Sequence, residues 1–499
     1  MPREHRLSKS RFQAGLQCHK RLWLASNARE LADPVTEFQQ AIFDQGHRVG
    51  ELARERFPRG TLVAEDHTQT EEALSRTADL LAAGASPIHE AALKYDGVLV
   101  RVDVLTRNGE GTWDLIEVKS GASVKQTHIT DAAIQTYVLR GAGLEVGRVF
   151  VMHLDTSYVY EGGDYDLQAL FRQTEVTEQV EEYLPEIPSL LAEMKEILDG
   201  ECPDVPIGKH CGSPYECAFV GHCHAFLPDF PVTQIPRIAS EVLDALLAEG
   251  IRSMRDVPPV FPGLTATQHK ACDVVRRGTP HFEPALLEEL AELRYPLHFL
   301  DFETFAPALP LHPGTTSYQT LPVQWSCHTM LADGSLEHRE FLHVHATDPR
   351  PPFAESLLSA LTGEGSVVVY SSFENTVLGN LATALPHLAE PITSVQARLF
   401  DLLPVIGRNV EHPEFRGRLS LKMVLPALVA DLSYEDQAVA DGGTAMLRYE
   451  AAITGGLSEA EREETFRALR AYCAVDTLGL VRVYQALLAG CDGRGVLLP

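Results

Sequence analysis

Two groups of acidic residues in this chain have the types and spacing that bind divalent metal ions. The first consists of Asp103 and, after thirteen intervening residues, the run Glu117-Val118-Lys119. The second opens with Asp301-Phe302-Glu303 and closes with Tyr472 and Asp476, four residues apart. Carboxylate oxygens are the ligands that Mg²⁺ prefers in proteins, and a divalent ion stabilises the charge that develops on a phosphate. The two groups therefore predict two centres for metal-dependent hydrolysis of phosphodiester bonds.

Asp103 and Glu117 are predicted on the two strands of a β-hairpin. Apolar runs at 97–105 and 112–119 indicate the strands, and Asn108-Gly109 between them is typical of a hairpin turn. Because the strands of a hairpin lie side by side, we expect the two carboxylates to converge on one point and to bind Mg²⁺ or Mn²⁺ there.

Lys119 and Gln135 complete the first predicted site. Lys119 lies two residues after Glu117, so both side chains project from one face of the strand. An ammonium group at this position can orient the attacking water or neutralise the phosphate. Gln135 lies on a helix predicted over residues 127–140. The alternative is an exposed ion pair of Glu117 with Lys119, which would leave Asp103 in an apolar run without a role.

The second group is predicted on a strand and a long helix. Asp301 and Glu303 alternate along the strand and so share one face. Tyr472 and Asp476 lie one helical turn apart and so share one face of the helix. The alternative is that Tyr472 packs in the core and that Asp476 is a surface charge.

A cluster of cysteines predicts a third metal centre. Cys211, Cys217 and Cys223 recur at regular intervals, and Cys18 on an early helix supplies a fourth thiolate. Four thiolates are the ligands of a 4Fe-4S cluster or of a zinc ion. Zinc is the alternative because histidines lie in the same segment, and four buried free thiols are the plainest alternative. Cys202 lies outside the regular spacing and is predicted not to take part.

The composition restricts the class of protein. The net charge of −27 argues against a protein that coats nucleic acid, because phosphate binding needs concentrated positive charge. It still allows an enzyme that grips nucleic acid locally. No stretch approaches the ~20 apolar residues that span a bilayer, and the polar N-terminus has no apolar signal core after it, so we expect a cytoplasmic protein. An early basic run could line a channel or form a solvated face: Arg3, Arg6, Lys9, Arg11, Lys20 and Arg21.

Residues 1–228 resemble the PD-(D/E)XK nucleases, most closely the RecB-like exonucleases with an iron–sulfur cluster that occur beside CRISPR systems and in AddB-type proteins. The residues that carry the resemblance are Leu7-Ser8-Lys9-Ser10, Cys18, Asp103, Glu117-Val118-Lys119, Gln135 and the late cysteines. The resemblance implies a restriction-endonuclease-like domain whose two ends are joined by a 4Fe-4S cluster on Cys18, Cys211, Cys217 and Cys223. Such a cluster is a folding element rather than a catalytic one.

The chain departs from these families at two positions. Gly50 stands where a metal-binding histidine is expected, and the neighbouring histidine is His47. His47 is therefore the candidate third metal ligand, with Glu51 as a substitute. The aromatic residue expected after Gln135 is also displaced, since the nearest one is Tyr137.

Residues 291–499 resemble the DEDDy branch of RNase H-like 3′→5′ exonucleases. Their first motif is Asp-x-Glu, matched by Asp301 and Glu303, and their third is Tyr-x-x-x-Asp, matched by Tyr472 and Asp476. Three strands in a meander followed by helix, strand and helix are also the order expected of this fold. The family uses its carboxylates to hold two metal ions beside the scissile phosphate, and its tyrosine positions the attacking water.

The middle motif of that branch is altered. The matching stretch ends in Phe373-Glu374, with glutamate in place of aspartate, so the metal geometry would shift. Asp401 is a fallback ligand or a residue that begins a helix. Three basic residues near Gly417 could contact phosphate or lie on an exposed loop: Arg416, Arg418 and Lys422.

The predicted fold class is α/β, with a nuclease domain over 1–228, a helical connector of the helix-hairpin type over 229–290 and an RNase H-like domain over 291–499. The resemblances imply a nuclease that acts on single-stranded DNA ends with two active sites, of equal or opposite polarity. Roles in repair or antiviral defence, beside a helicase or another partner, follow by analogy. Two alternatives stay open: an RNA-processing exonuclease, and a nucleic-acid-binding accessory protein with one decayed site.

Overall fold

The structure of the protein is a computed structural model that describes residues 7–429, 431–432 and 441–491. Helices and strands alternate through these ranges, so the α/β class predicted from the sequence is confirmed. In the same ranges, no helix is both long and apolar enough to cross a lipid bilayer. Arg3 and Arg6 of the predicted basic run lie outside the described residues.

Two compact units divide the chain. Unit 1 consists of the described residues up to 226 and also of 308–319, whereas unit 2 consists of 227–307 and of the described residues from 320 onward. The region 229–290, predicted as a helical connector, lies within unit 2. Residues 230–275 there contribute a hydrophobic cluster of their own.

Unit 1 is built around one mixed sheet. Its strands are β1 (Leu7–Ser8), β2 (Thr61–Leu62), β3 (Ile88–Tyr95), β4 (Val98–Arg107), β5 (Trp113–Lys119), β6 (Val146–Leu154) and β7 (Phe171–Glu175). Its helices are α1 (Lys9–Gln17), α2 (His19–Asn27), α3 (Glu37–Glu55), α4 (Thr70–Ala82), α5 (Gln126–Gly141), α6 (Leu167–Leu170), α7 (Thr177–Tyr183), α8 (Ile187–Asp199) and α9 (Val220–His224). Within the described ranges the sheet order is β2-β3-β4-β5-β6-β7, with β1 paired to β4. The hairpin β4–β5 is antiparallel, and α5 crosses over to the parallel strand β6.

The predicted hairpin is confirmed, with a longer loop than the sequence indicates. β4 and β5 pair antiparallel as far as Arg107 and Trp113. The N–H of Asn108 donates to the carbonyl of Thr112 at 3.0 Å, and Gly111 has a φ of 86°. The left-handed residue therefore lies later than in a two-residue Asn-Gly turn, but the two strands still lie side by side.

The early helix predicted to carry Cys18 is divided in two, because α1 and α2 meet at Cys18. The backbone of Cys18 is extended, with φ −166° and ψ 124°, and it interrupts the helix. Ser8 caps α1, since its hydroxyl accepts from the N–H of Arg11 at 3.3 Å. The thiol of Cys18 is consequently placed at a joint between two helices.

Unit 2 contains a second sheet and a long C-terminal helix. Its strands are β8 (His281–Phe282), β9 (Leu297–Phe305), β10 (Leu321–Met330), β11 (Leu336–Leu342), β12 (Val367–Val369), β13 (Leu399–Asp401) and β14 (Val410–Glu411). Its helices are α10 (Ser240–Ala248), α11 (Ala266–Arg277), α12 (Ala285–Leu290), α13 (Arg350–Ala360), α14 (Phe373–Ala384), α15 (Ala389–Gln396), α16 (Leu402–Asn409), α17 (Leu421–Leu428), α18 (Gly442–Thr454) and α19 (Glu459–Cys491). The sheet order is β11-β10-β9-β12-β13, and β8 pairs with β14 apart from it.

The central strand of this sheet is β9. It pairs antiparallel with β10 and parallel with β12, so its backbone is held from both sides. The predicted order of three strands, helix, strand and helix is found. The second strand begins at Leu321, and residues 308–319, which precede it, belong to unit 1.

Helix α19 is fixed against the sheet by buried polar contacts. The side-chain amide of Gln324 on β10 donates to the carbonyl of Leu469 at 3.0 Å. The hydroxyl of Thr477 lies 2.8 Å from the hydroxyl of Ser326 and 2.8 Å from Nδ1 of His328. These contacts set both the rotation and the register of α19 relative to β10.

The turn before β12 provides a test of this architecture. Gly363 and Gly365 both have positive φ, 94° and 113°. A Cβ at Gly365 would lie 2.2 Å from the carbonyl oxygen of Pro296, whereas one at Gly363 would meet nothing within 4 Å. We expect Gly363→Ala to lower the free energy of unfolding by about 1 kcal/mol and Gly365→Ala to lower it by about 3 kcal/mol or more. Urea unfolding measures both, and equal losses would contradict the clash.

Candidate metal centres

In unit 1 the structure brings Asp103 and Glu117 together. They lie on the paired strands β4 and β5, and the N–H of Val118 donates to Oδ2 of Asp103 at 2.6 Å. Glu117 is buried. Its Oε2 accepts a hydrogen bond from the amide of Gln135 on α5 at 2.7 Å. The predicted group of Asp103, Glu117 and Gln135 is therefore one constellation.

Two lysines flank the buried carboxylate of Glu117. The ammonium of Lys119 lies 2.8 Å from Oε1 of Glu117 and 2.6 Å from Oδ2 of Asp131. The ammonium of Lys9, on the first turn of α1, lies 2.6 Å from the same Oε1. Lys119 is thus not an exposed partner of Glu117. It bridges two carboxylates.

These charges set the protonation states of the site. Burial alone would raise the pKa of Glu117, but Lys119 and Lys9 outweigh it and hold that pKa well below its ordinary value. Burial and the charge of Glu117 raise the pKa of Asp103 to about 7. Near neutral pH, Glu117 is therefore ionised, and Asp103 is partly protonated.

A cavity of about 240 Å³ opens beside Asp103. His47 and Glu51, both on α3, line it together with Asp103 and Glu90. The two alternatives for a third ligand in this site therefore face the same space. Tyr137, the displaced aromatic, donates instead to the carboxylate of Asp96 at 3.1 Å.

Sequence reasoning missed three residues of this site. Lys9 was assigned only to the basic run and to the Ser-Lys-Ser resemblance. Asp131 lies four residues before Gln135 on α5, so the shared helical face was a usable signal. Glu90 lies on β3, a strand that was not predicted, and its φ of 57° has no signal in the sequence.

The four predicted cysteines gather at one end of unit 1. The N–H of Cys217 donates to the carbonyl of Cys211 at 2.9 Å, and Cys223 lies on α9. Gln17, the neighbour of Cys18, donates from its side-chain amide to the carbonyls of His210 and Tyr215 at 2.5 and 2.7 Å. The joint between α1 and α2 is thereby tied to the loop that carries the late cysteines.

The cysteine thiols raise one another's pKa values. Burial raises the pKa of Cys223, and Cys217, Cys211 and Cys18 raise it further. Cys18 also raises the pKa of the exposed Cys202. Among the described residues, the acidic group of unit 2 is the only set of three or more ligand atoms within 4.8 Å of one another. No three of the cysteine sulfurs therefore come that close.

In unit 2 the structure brings Asp301, Glu303 and Asp476 together. One carboxylate oxygen of each lies within 4.8 Å of the others. The first two come from β9 and the third from α19. A cavity of about 990 Å³ opens beside them, and Tyr472 and Lys422 line it. The ammonium of Lys422 lies 5.4 Å from the centre of the Tyr472 ring.

The acidic residues of this site repel one another. Burial, followed by the charges of Asp476 and Glu303, raises the pKa of Asp301 well above its ordinary value. Burial and Asp476 raise the pKa of Glu303 to about 8, although Lys422 acts in the opposite direction. The thiol of Cys473, which was not predicted as a site residue, lies 3.6 Å from Oδ2 of Asp301.

Glu374 lies outside the group of three carboxylates. It is buried on the first turn of α14, and its Oε2 accepts no hydrogen bond from the described residues. Its charge nevertheless contributes to the raised pKa of Asp301. Asp401 begins α16, since its carboxylate accepts from the N–H of Leu403 at 2.9 Å, and it also lines the cavity.

The three basic residues near Gly417 differ in whether they line this cavity. Lys422 lines the cavity. Arg416 has a φ of 49°, and its guanidinium lies 5.4 Å from the ring of Phe230. Arg418 is exposed. Only Lys422 among them is a lining residue of the second site.

Residues 298–420 are similar to the family described as Domain of unknown function (DUF2779). The matched range contains Asp301, Glu303 and Glu374 and ends before Tyr472 and Asp476. No curated protein matches the sequence. These comparisons carry no activity to the chain, so any functional assignment depends on the geometry of the sites.

The repulsion in unit 2 predicts a dependence of stability on pH. The pKa of Glu303 is raised from 4.5 to about 8 in the folded chain, so its contribution to stability is complete below pH 4.5 and is lost as the pH rises through 8. We expect the free energy of unfolding in EDTA to fall by on the order of 2 kcal/mol across this window. Mg²⁺ should restore it, because the ion binds the ionised form.

Glu303→Gln should flatten this part of the pH dependence, as measured by urea unfolding at intervals of half a pH unit. The matched control is Asp333→Asn, which removes an exposed carboxylate of the same unit whose pKa is lowered by Ser335. An unchanged slope in Glu303→Gln would show that the carboxylates do not repel one another as described.

Proposed function

We propose that the protein is a metal-dependent nuclease with two active sites that acts on single-stranded DNA ends as an exonuclease. In this proposal unit 1 has a restriction-endonuclease-like fold of the RecB-like PD-(D/E)XK kind, and unit 2 has an RNase H-like fold of the DEDDy kind. The observation that carries the proposal is the convergence of Asp301, Glu303 and Asp476 within 4.8 Å in a cavity that Tyr472 also lines.

The site in unit 2 has the parts that phosphodiester hydrolysis needs. Three neighbouring carboxylates that repel one another suit divalent cations, which take hard oxygen ligands. Mg²⁺ or Mn²⁺ bound there would supply stabilisation of the charge on the phosphate. Tyr472 remains protonated because burial and the neighbouring carboxylates raise its pKa, so its hydroxyl can donate to a water or to a phosphate oxygen. Lys422 adds a positive charge on the same wall.

The site in unit 1 supports the same chemistry with a different charge balance. Asp103 and Glu117 provide carboxylate ligands, and His47 or Glu51 faces the same cavity. Lys119 is fixed by Glu117 and Asp131, so its ammonium has a defined direction. A cation in a fixed direction beside a metal ligand can hold an attacking water or a phosphate oxygen in place.

The four cysteines offer the ligands of a 4Fe-4S cluster, with a zinc ion as the alternative. We propose that Cys18, Cys211, Cys217 and Cys223 hold such a cluster.

One observation favours an alternative for unit 2, a nucleic-acid-binding role without catalysis. Glu374, which stands where the DEDDy branch has an aspartate, lies outside the group of three carboxylates. If the fourth carboxylate is required for a second metal ion, unit 2 would bind a strand end without cutting it. The nuclease assay below distinguishes these cases.

The two sites are tested by digestion of end-labelled single strands with Mn²⁺. We expect Lys119→Ala and Asp301→Ala each to remove the activity of one site by about 100-fold or more and the double variant to be inactive. Lys195→Ala, which breaks an exposed ion pair with Asp96 in unit 1, and Asp333→Ala in unit 2 are the controls. Matched DNA and RNA oligomers separate a deoxyribonuclease from an RNA-processing enzyme.

If Asp301→Ala matches its control while Lys119→Ala abolishes cleavage, unit 2 has the binding role. Full activity of the double variant would refute the proposal. The label at the 5′ or 3′ end gives the polarity of each site.

The cysteine cluster is tested by its colour. We expect anaerobically purified protein to absorb visible light and to contain four iron and four sulfide per chain, as a 4Fe-4S cluster requires. Cys217→Ser should lose this absorbance, while Cys202→Ser, the control from the same region, should keep it. A colourless protein with stoichiometric zinc would refute the cluster.

A further inference from the structure

A segment of twelve residues between two strands of unit 2 forms part of unit 1. Strand β9 ends at Phe305 and β10 begins at Leu321, and both belong to unit 2. Residues 308–319 between them are packed within unit 1. This segment is far in sequence from every other part of unit 1, and none of the expected site residues lies in it.

Apolar contacts hold the start of the segment beneath the first site. Ala308 and Leu309 are buried in one cluster with Val49, Val104 and Ile116. Val104 follows Asp103, Ile116 precedes Glu117, and Val49 lies on α3 between His47 and Glu51. The segment therefore packs against the backbone neighbours of the candidate ligands.

Polar contacts hold the rest of the segment. The N–H of Tyr160 donates to the carbonyl of Thr315 at 2.9 Å, and the N–H of Gly314 donates back to the carbonyl of Tyr160 at 2.7 Å. The hydroxyl of Tyr165 donates to the carbonyl of Pro310 at 3.0 Å. The chain between these anchors is buried at Thr315 and Ser317.

Tyr318, near the end of the segment, joins two elements of the first site. Its hydroxyl accepts from the side-chain amide of Gln45 at 3.0 Å and donates to the carbonyl of Ser120. Gln45 lies on α3, two residues before His47. Ser120 directly follows Lys119 at the end of β5. One phenol therefore fixes the helix that carries His47 and Glu51 relative to the strand that carries Glu117 and Lys119.

We propose that Tyr318 is a positioning residue of the first site, which holds α3 at the distance from β5 that metal binding requires. The inference rests on the proposed function of unit 1 and extends it, because it makes a segment that begins 82 residues beyond the rest of unit 1 a part of that site. It follows that residues up to 226 do not contain a complete site without residues 308–319.

The test uses the full chain with Asp301→Asn, so that the second site is disabled, and compares Tyr318→Phe with Tyr165→Phe. Both variants lose one phenol hydroxyl that donates to a backbone carbonyl, but only Tyr318 bridges α3 and β5. We expect Tyr318→Phe to weaken Mn²⁺ binding, followed by the electron paramagnetic resonance of free Mn²⁺, by about 10-fold. At saturating Mn²⁺ its kcat on a single-stranded oligomer should fall while KM stays constant. Tyr165→Phe should differ from the parent by less than about two-fold in each quantity.

Equal Mn²⁺ binding and equal kcat in the two variants would overturn the inference. A parent chain that binds Mn²⁺ but cleaves no DNA or RNA would refute the proposed function of unit 1, and the Mn²⁺ titration would then decide the role of Tyr318 by itself.

If Tyr318→Phe does not fold, Gln45→Ala removes the α3 side of the bridge at a half-buried position and should give the same loss of Mn²⁺ affinity. Mn²⁺ binding unchanged in a folded Gln45→Ala would likewise overturn the inference.

Discussion

The structure depends on the cost of holding carboxylates close together away from water. Removing an ionised carboxylate from water is unfavourable unless a cation or hydrogen-bond donors compensate for it. Unit 1 compensates within the protein, since Glu117 receives two ammonium groups and one amide. Unit 2 largely does not, since Asp301 and Glu303 both have raised pKa values and Lys422 opposes only part of the repulsion.

A fold can keep repelling groups together only if the elements that carry them cannot move apart. In unit 2 this constraint is met between β10 and α19. Asp301 pairs across the sheet with Ser326, whose hydroxyl contacts Thr477, the residue after Asp476. The contact that fixes the helix therefore lies across the strand pair from Asp301 and one residue from Asp476. Buried hydrogen bonds beside the site keep its carboxylates close together although they repel one another.

The sequence was sufficient where the position of a residue follows from local periodicity. The hairpin of Asp103 and Glu117, the shared face of Asp301 and Glu303, and the helix of Asp476 all follow from a period of two or of about four residues. Lys9 was not recognised as a partner of Glu117, because that contact joins residues more than a hundred positions apart and a lysine on a first helical turn has many roles. Tyr318 was the hardest residue to recognise from the sequence, since no local pattern indicates that a segment between two strands of one unit packs in the other unit.

The different charge balance of the two sites has a consequence for how each takes up a metal ion. At the first site, Oε1 of Glu117 is already contacted by Lys9 and Lys119, so a divalent cation that binds this carboxylate competes with two positive charges in a place of low dielectric constant. Only a further negative charge reduces that competition, and the phosphate of a bound strand is such a charge. At the second site Lys422 is the basic residue that lines the cavity in the described part of the chain, and a bound metal ion would itself relieve the repulsion among Asp301, Glu303 and Asp476. Under the proposed function, metal uptake at the first site would therefore be favoured by bound substrate, whereas at the second it would be driven by the protein's own carboxylates.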